Sequence, residues 1–198
     1  MKHFTSLFFV ITLTGFTFVC NAQGVPGPTI KKGSVITYDV KEGKSTYRYT
    51  VTIDKFSEAT GISFHWATNE KPSRSGTTSM PFANLEDAKK LMVKPIPGNE
   101  KLTEDQLRVL FNNSVVVTLV GSKTVDIDVD GTAITFLYLA TKDETADIDY
   151  NGSKTTVDHT SADGGDTRIG FITVGDYQLI HSFVSKDLRF TLLSISTK

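Results

Sequence analysis

Beyond position 22 the chain contains no cysteine, which excludes disulfides, thiol catalysis and any cysteine-ligated zinc site. Histidine is nearly as scarce. Only His65, His159 and His181 lie beyond that point, and neither H-E-x-x-H nor H-x-x-E-H spacing joins two of them. There is no G-x-S-x-G nucleophile elbow and no phosphate-cradling glycine loop. The net charge is −1, so composition offers no basic footprint for nucleic acid or for an anionic membrane surface. The segment after residue 22 has no apolar run long enough to span a membrane as a helix.

Near the start, Lys2 and His3 precede an apolar run over residues 7–19, and Cys20-Asn21-Ala22 then places small residues where a signal peptidase reads. This pattern predicts a secretory signal peptide over residues 1–22 and export to the periplasm or the extracellular space. Its ending, Asn21-Ala22-Gln23, resembles the signal peptides of small exported proteins from gram-negative bacteria. Cys20 closes the apolar run and invites a lipid anchor, but Val19 is bulkier than the Gly, Ala or Ser expected beside a lipidated cysteine. Removing 22 of 198 residues leaves 176. That length suffices for one domain to bury ~70% of its unfolded surface without staples.

Residues 23–32, with Pro26, Gly27 and Pro28, read as an extended leader, and residues 33–198 as a single β-rich domain. Ile36, Tyr38 and Val40 alternate with polar residues, as do Tyr47, Tyr49, Val51 and Ile53 after the Glu42-Gly43 turn, and Ile62, Phe64 and Trp66 continue the pattern. A helical insert is expected at about residues 84–112. Asn84 is the candidate cap of a helix over 84–92, and Thr103 with Gln106 forms a capping box for a second over 103–111. Residues 113–141 then read as a three-stranded meander turning at Gly121-Ser122 and Asp130-Gly131. A hairpin about Asn151-Gly152, a Ser/Asp/Gly-rich loop over 161–167 and three closing strands complete the chain. The last closing strand has apolar residues on both faces, which predicts a bulge or burial on two sides. The expectation is a mainly β fold, an antiparallel barrel or sandwich of about eleven strands that hides its edges, with two short helices inserted before the central meander.

Charge is unevenly spread, with ten acidic and two basic residues over 126–166. Asp126, Asp128 and Asp130-Gly131 match the first half of a calcium loop, making these three aspartates a candidate metal site. The twelfth position, which needs a bidentate glutamate, is Leu137, and the aspartates alternate with Val125, Ile127 and Val129 as strand residues do. A two-residue turn at Gly121-Ser122 would set Asp126 opposite Val117 and drive the carboxylates inward, whereas a three-residue turn sends them outward. No other cofactor is implied. Tyr47, Tyr49, Phe64 and Trp66, on neighbouring strands, are the candidate ligand-binding residues, suited to a small apolar or saccharide ligand and equally to core packing. The first functional expectation is a non-enzymatic exported binding protein for such a ligand or for an envelope partner. The alternatives are a secreted hydrolase using carboxylates of 126–166, and a cell-surface interaction module without a pocket.

Overall fold

The computed structural model describes residues 27–140 and 145–197. The expected signal peptide, Cys20 and the first part of the expected leader therefore lie outside the described residues. In chain order the elements are β1 (Val35–Glu42), β2 (Ser45–Ser57), β3 (Gly61–Thr68), β4 (Ser75–Met80), α1 (Asn84–Asp87), β5 (Lys90–Leu91), β6 (Gly98–Lys101), β7 (Gln106–Leu107), β8 (Leu110–Phe111) and α2 (Asn113–Ser122). They continue with β9 (Thr124–Val129), β10 (Thr132–Leu139), β11 (Thr145–Tyr150), β12 (Ser153–Asp163), β13 (Arg168–Val174), β14 (Tyr177–Val184) and β15 (Leu188–Ser196). The protein is mainly β, a single fifteen-stranded sheet with two short helices.

The strands run β6-β4-β3-β2-β1-β15-β14-β13-β12-β10-β9-β5-β7 across the sheet. β11 pairs antiparallel with β12 and parallel with β15, so β11, β12, β13, β14 and β15 form a closed hydrogen-bonded circuit. The two ends of the longer path, β6 and β7, are separated in the chain only by residues 102–105, so the sheet must curl until its ends meet. The circuit removes open edges that a flat sheet of this width would expose, and the curl brings the two remaining end strands near each other.

The period-two alternation is realised directly. Ile36, Tyr38 and Val40 of β1, Tyr47, Tyr49, Val51 and Ile53 of β2, and Ile62, Phe64 and Trp66 of β3 are all buried, and they join the core from β13, β14 and β15. Asp130 and Gly131 have φ of 49° and 91°, and Asn151 and Gly152 of 54° and 82°, the pair of positive values that a two-residue hairpin turn requires. In β15 the pairing with β1 steps from Thr37↔Ser194 to Tyr38↔Leu192, a bulge at Leu193 that accounts for the apolar residues on both faces. In the described part of residues 23–32, Ile30 is buried in the core.

The region between β4 and β9 departs from expectation. α1 is one turn long, because Ala88 is already extended, and Asn84 is not its cap. Its side chain instead donates to the carbonyls of Thr103 and Gln106, at 2.7 and 2.6 Å. The second helix, over 103–111, does not form. The Gln106 side chain does reach back to the Thr103 N–H at 3.0 Å, as in a capping box, yet Leu107, Arg108, Val109, Leu110 and Phe111 are buried in succession. A surface helix buries one face only, so a run buried on every side is better served by extended chain crossing the interior.

Conversely, the Val-rich residues 113–122 form a helix, α2, rather than the first strand of a meander. Asn112 caps it by accepting from the Ser114 N–H at 2.7 Å and also donates to the Ala88 carbonyl at 3.0 Å. Val115, Val116 and Leu119 face inward at helical spacing while Val117 is 71% exposed, so the tertiary surface overrides the β preference of valine. Lys123 ends the helix in the left-handed region. With no strand over 113–120, the question of its register against Asp126 and Asp128 disappears.

Candidate functional site

Arg108 lies inside the fold with 2% of its side chain exposed. It is placed there by a tight backbone reversal, in which the Leu110 N–H donates to the Arg108 carbonyl at 2.7 Å around Val109, whose φ is 68°. This is a three-residue γ-turn of the positive-φ kind, and a β-branched residue occupies its strained centre. Such strain persists only where surrounding contacts enforce it. Here the Val109 carbonyl is held by the Ile180 N–H of β14, and β8 pairs with the same strand.

One nitrogen of Arg108, Nη2, donates to Glu100 Oε1 at 2.9 Å, and Glu100 Oε2 accepts from Thr78 Oγ1 at 3.2 Å. Glu100 belongs to β6 and Arg108 follows β7, so the ion pair clasps the two ends of the curled sheet. The other donors of the guanidinium, Nε and Nη1, are buried and have no hydrogen-bond partner among the described residues, and the same holds for the Tyr49 hydroxyl.

Arg108 and Tyr49 line one recess of about 50 Å³, several times the ~10–15 Å³ that a single water needs. Its walls are apolar. Val40 of β1, Leu188 and Phe190 of β15, and Met92, Val93 and Pro95 after β5 surround the polar base. Towards the opening, Glu42, Arg74 and Lys94 take over. Glu42, Lys94 and Leu188 also border a wider hollow of about 290 Å³, whose rim carries Asp130, Asp166, Lys186 and Asp187.

The two ends of the recess differ in how their polar atoms are used. At the opening Tyr47, Glu42 and Arg74 bond to one another: the Tyr47 hydroxyl donates to Glu42 Oε2 at 2.9 Å, Arg74 Nη2 to the same oxygen at 2.9 Å and Arg74 Nε to Glu70, while the guanidinium lies 5.0 Å above the Tyr47 ring. Burial and the bond to Glu42 push the Tyr47 phenol up to about 12. Burial alone would raise Glu42, but the bonds from Tyr47 and Arg74 outweigh it and hold the carboxyl below its ordinary value. At the base, burial holds the Tyr49 phenol well above its usual range, only partly offset by the nearby charge of Arg108. Tyr49 is therefore a protonated donor at neutral pH, beside three unassigned N–H bonds of Arg108.

Replacing Tyr49 with phenylalanine removes a buried hydroxyl that has no partner among the described residues and keeps the ring. Urea unfolding is expected to show Tyr49→Phe more stable by about 1 kcal/mol, the reverse of the usual sign for losing a polar group. A loss of stability would mean that the hydroxyl is satisfied within the fold.

Of the four aromatics expected to bind ligand, the structure brings Tyr47 and Tyr49 to the recess. Phe64 and Trp66 are 1% exposed and belong to the core. Trp66 packs behind Tyr49 with its ring tilted and the centroids 5.7 Å apart.

Asp126, Asp128 and Asp130 do not converge. Asp126 accepts from Thr135 Oγ1 across the β9–β10 pair at 2.6 Å, Asp128 from the Gly131 N–H at 2.6 Å, and Asp130 from the Val93 N–H at 2.8 Å. Among the described residues no three His, Cys, Asp or Glu side chains are grouped to hold a metal ion. Other carboxylates of the acidic segment are engaged locally, Asp147 with Lys154 and Thr156, and Asp163 with Arg168. No helix among the described residues is long and apolar enough to cross a membrane.

His159 lies within β12. β12 runs on to Asp163 and pairs His159 with Ile172 of β13. Its ring meets that of His181 edge-on at 5.0 Å. Burial lowers His159, and burial together with the His159 charge lowers His181 to about 4. In the unfolded chain both titrate near 6.5, so the unfolded state binds more protons between these values. The pair's contribution is present in full above pH 6.5 and is lost as pH falls towards 4. Discounting for partial exposure, this amounts to about 1–2 kcal/mol. Urea unfolding at pH 7 and pH 4.5 checks it: His181→Gln should flatten part of the difference, and an unchanged slope would count against a neutral pair.

Arg108 is the candidate site residue that sequence reasoning passed over. Its signal was present, a lone charge in Leu107-Arg108-Val109-Leu110-Phe111.

The chain matches no family model, and no curated protein or solved structure is significantly similar to it. The reading of this site therefore rests on its own geometry.

Proposed function

We propose that this chain is an exported binding protein for a small, mainly apolar ligand seated in the recess with its polar end against Arg108. The observation that carries the reading is a buried guanidinium with unassigned N–H donors at the base of an apolar slot. Burying such donors without acceptors is costly, and a ligand acceptor offsets that cost while its apolar part covers the walls. Export rests on the signal pattern of residues 1–22. Of the two ligand classes suggested by the aromatics, the apolar one fits better, because a sugar ring brings many hydroxyls to walls that offer few partners. Catalysis is not part of the proposal: the one carboxylate that lines the slot among the described residues, Glu42, is held by Tyr47 and Arg74.

Trp66 is the single tryptophan and stands 5.7 Å from Tyr49, so its fluorescence reports on the base of the recess. Titration with N-phenyl-1-naphthylamine, a neutral apolar dye, is expected to give saturable one-to-one binding with energy transfer from Trp66. Native mass spectrometry of protein purified from its own source should show a bound apolar molecule of low mass. A folded protein that binds neither the dye nor any copurified molecule would overturn the proposal.

A further inference from the structure

Resting on that binding reading, we infer that the buried end of the ligand is an uncharged hydrogen-bond acceptor of the carbonyl class, such as an aliphatic ketone, ester or amide, rather than a carboxylate. A buried arginine at the base of an apolar slot suggests an anionic head at first sight, but its charge is already balanced. Arg108 holds Glu100 through Nη2 at 2.9 Å, with the two side chains 2% and 11% exposed. A ligand carboxylate here would place two negative charges around one positive charge, away from water. The second anion would lose its hydration and gain no unshared counter-charge.

The unassigned groups ask for something else. Arg108 Nε and Nη1 are donors only, and the Tyr49 phenol, kept protonated by burial, presents a further O–H. A carbonyl oxygen has two lone pairs and no charge, so it satisfies two of these donors without upsetting the Arg108–Glu100 balance. Lys94 does not change the argument, because it lies at the opening. The other charges there, Glu42 and Arg74, are bonded to each other. The slot behind them presents apolar walls to a narrow chain.

The test compares three eight-carbon probes against the full chain at pH 7: 2-octanone, octanamide and octanoate, read by calorimetry and by displacement of the neutral dye. The ketone and the amide are expected to bind at least about tenfold more tightly than octanoate, the difference that one well-made hydrogen bond against one buried unpaired charge allows. The double substitution Arg108→Met with Glu100→Gln removes the donors without stranding a buried charge. It should weaken the ketone by about tenfold in a chain whose circular dichroism spectrum shows the fold retained. Octanoate binding as tightly as the ketone, or more tightly, would overturn this inference and leave the binding reading intact. Failure of every probe, dye included, on folded protein would overturn both.

Discussion

Arg108→Met is expected to lower the free energy of unfolding by about 3–5 kcal/mol, although methionine fills much of the same space and is less costly to bury. The loss comes from what remains behind. Glu100, 11% exposed, would lose its counter-ion and retain the bond from Thr78. The clasp between the two ends of the curled sheet would be released with it, because Glu100 belongs to β6 and Arg108 follows β7. The strained turn at Val109 would lose part of the contact set that enforces it. Arg108→Met combined with Glu100→Gln should recover most of the loss, since replacing both partners of a buried ion pair is often neutral whereas removing one is not. Urea denaturation of the two single variants and the double variant gives the coupling directly, and a coupling below about 0.5 kcal/mol would show that the pair does not hold the sheet ends together. If the single variant unfolds too readily to measure, the double variant and Glu100→Gln still report whether the two sites are coupled.

How far this arrangement could be read from the chain depended on which interactions are local. Asp130-Gly131 and Asn151-Gly152 carry their own turn chemistry, and the alternation of Ile36 with Tyr38 and Val40 needs only one covered face, so these hairpins and strands were legible. The bulge at Leu193 was legible for the same reason, being written in the phase of the apolar residues. Residues 103–122 were not. Thr103 and Gln106 form a local bond that a helix would also use, and only the burial of all five residues from Leu107 to Phe111 shows why the chain stays extended. The valines of α2 favour a strand intrinsically, and Asn112 as a cap with Val115, Val116 and Leu119 on one face was the weaker signal that won. The base of the site was hidden for a related reason. Glu100 and Arg108 look like two charges in an insert, and their meaning arises only when the sheet curls and brings its ends together.

Trp66→Ala is expected to cost about 3–5 kcal/mol and Trp66→Phe about 1–2 kcal/mol, with no more than about a twofold change in ligand affinity for the phenylalanine variant. The cost follows from packing. Trp66 is 1% exposed and fits against Gly76, where an added Cβ would come within 2.9 Å of the indole Cζ2 and 2.5 Å of the Gly98 carbonyl. The ring therefore fills the angle between β3, β4 and β6, and alanine would leave a cavity that neighbouring backbone cannot collapse into without breaking the Gly76↔Gly98 pairing. Phenylalanine keeps most of the volume and deletes an indole N–H that has no partner among the described residues, which offsets part of the lost burial. Affinity should follow Tyr49 instead, since Tyr49 lines the recess and Trp66 stands behind it. Measured side by side, Tyr49→Phe should be more stable and bind the ketone more weakly, while Trp66→Phe should be less stable and bind it nearly unchanged. Loss of ketone binding in Trp66→Phe at retained fold would show that the indole reaches the ligand and that the recess extends behind Tyr49.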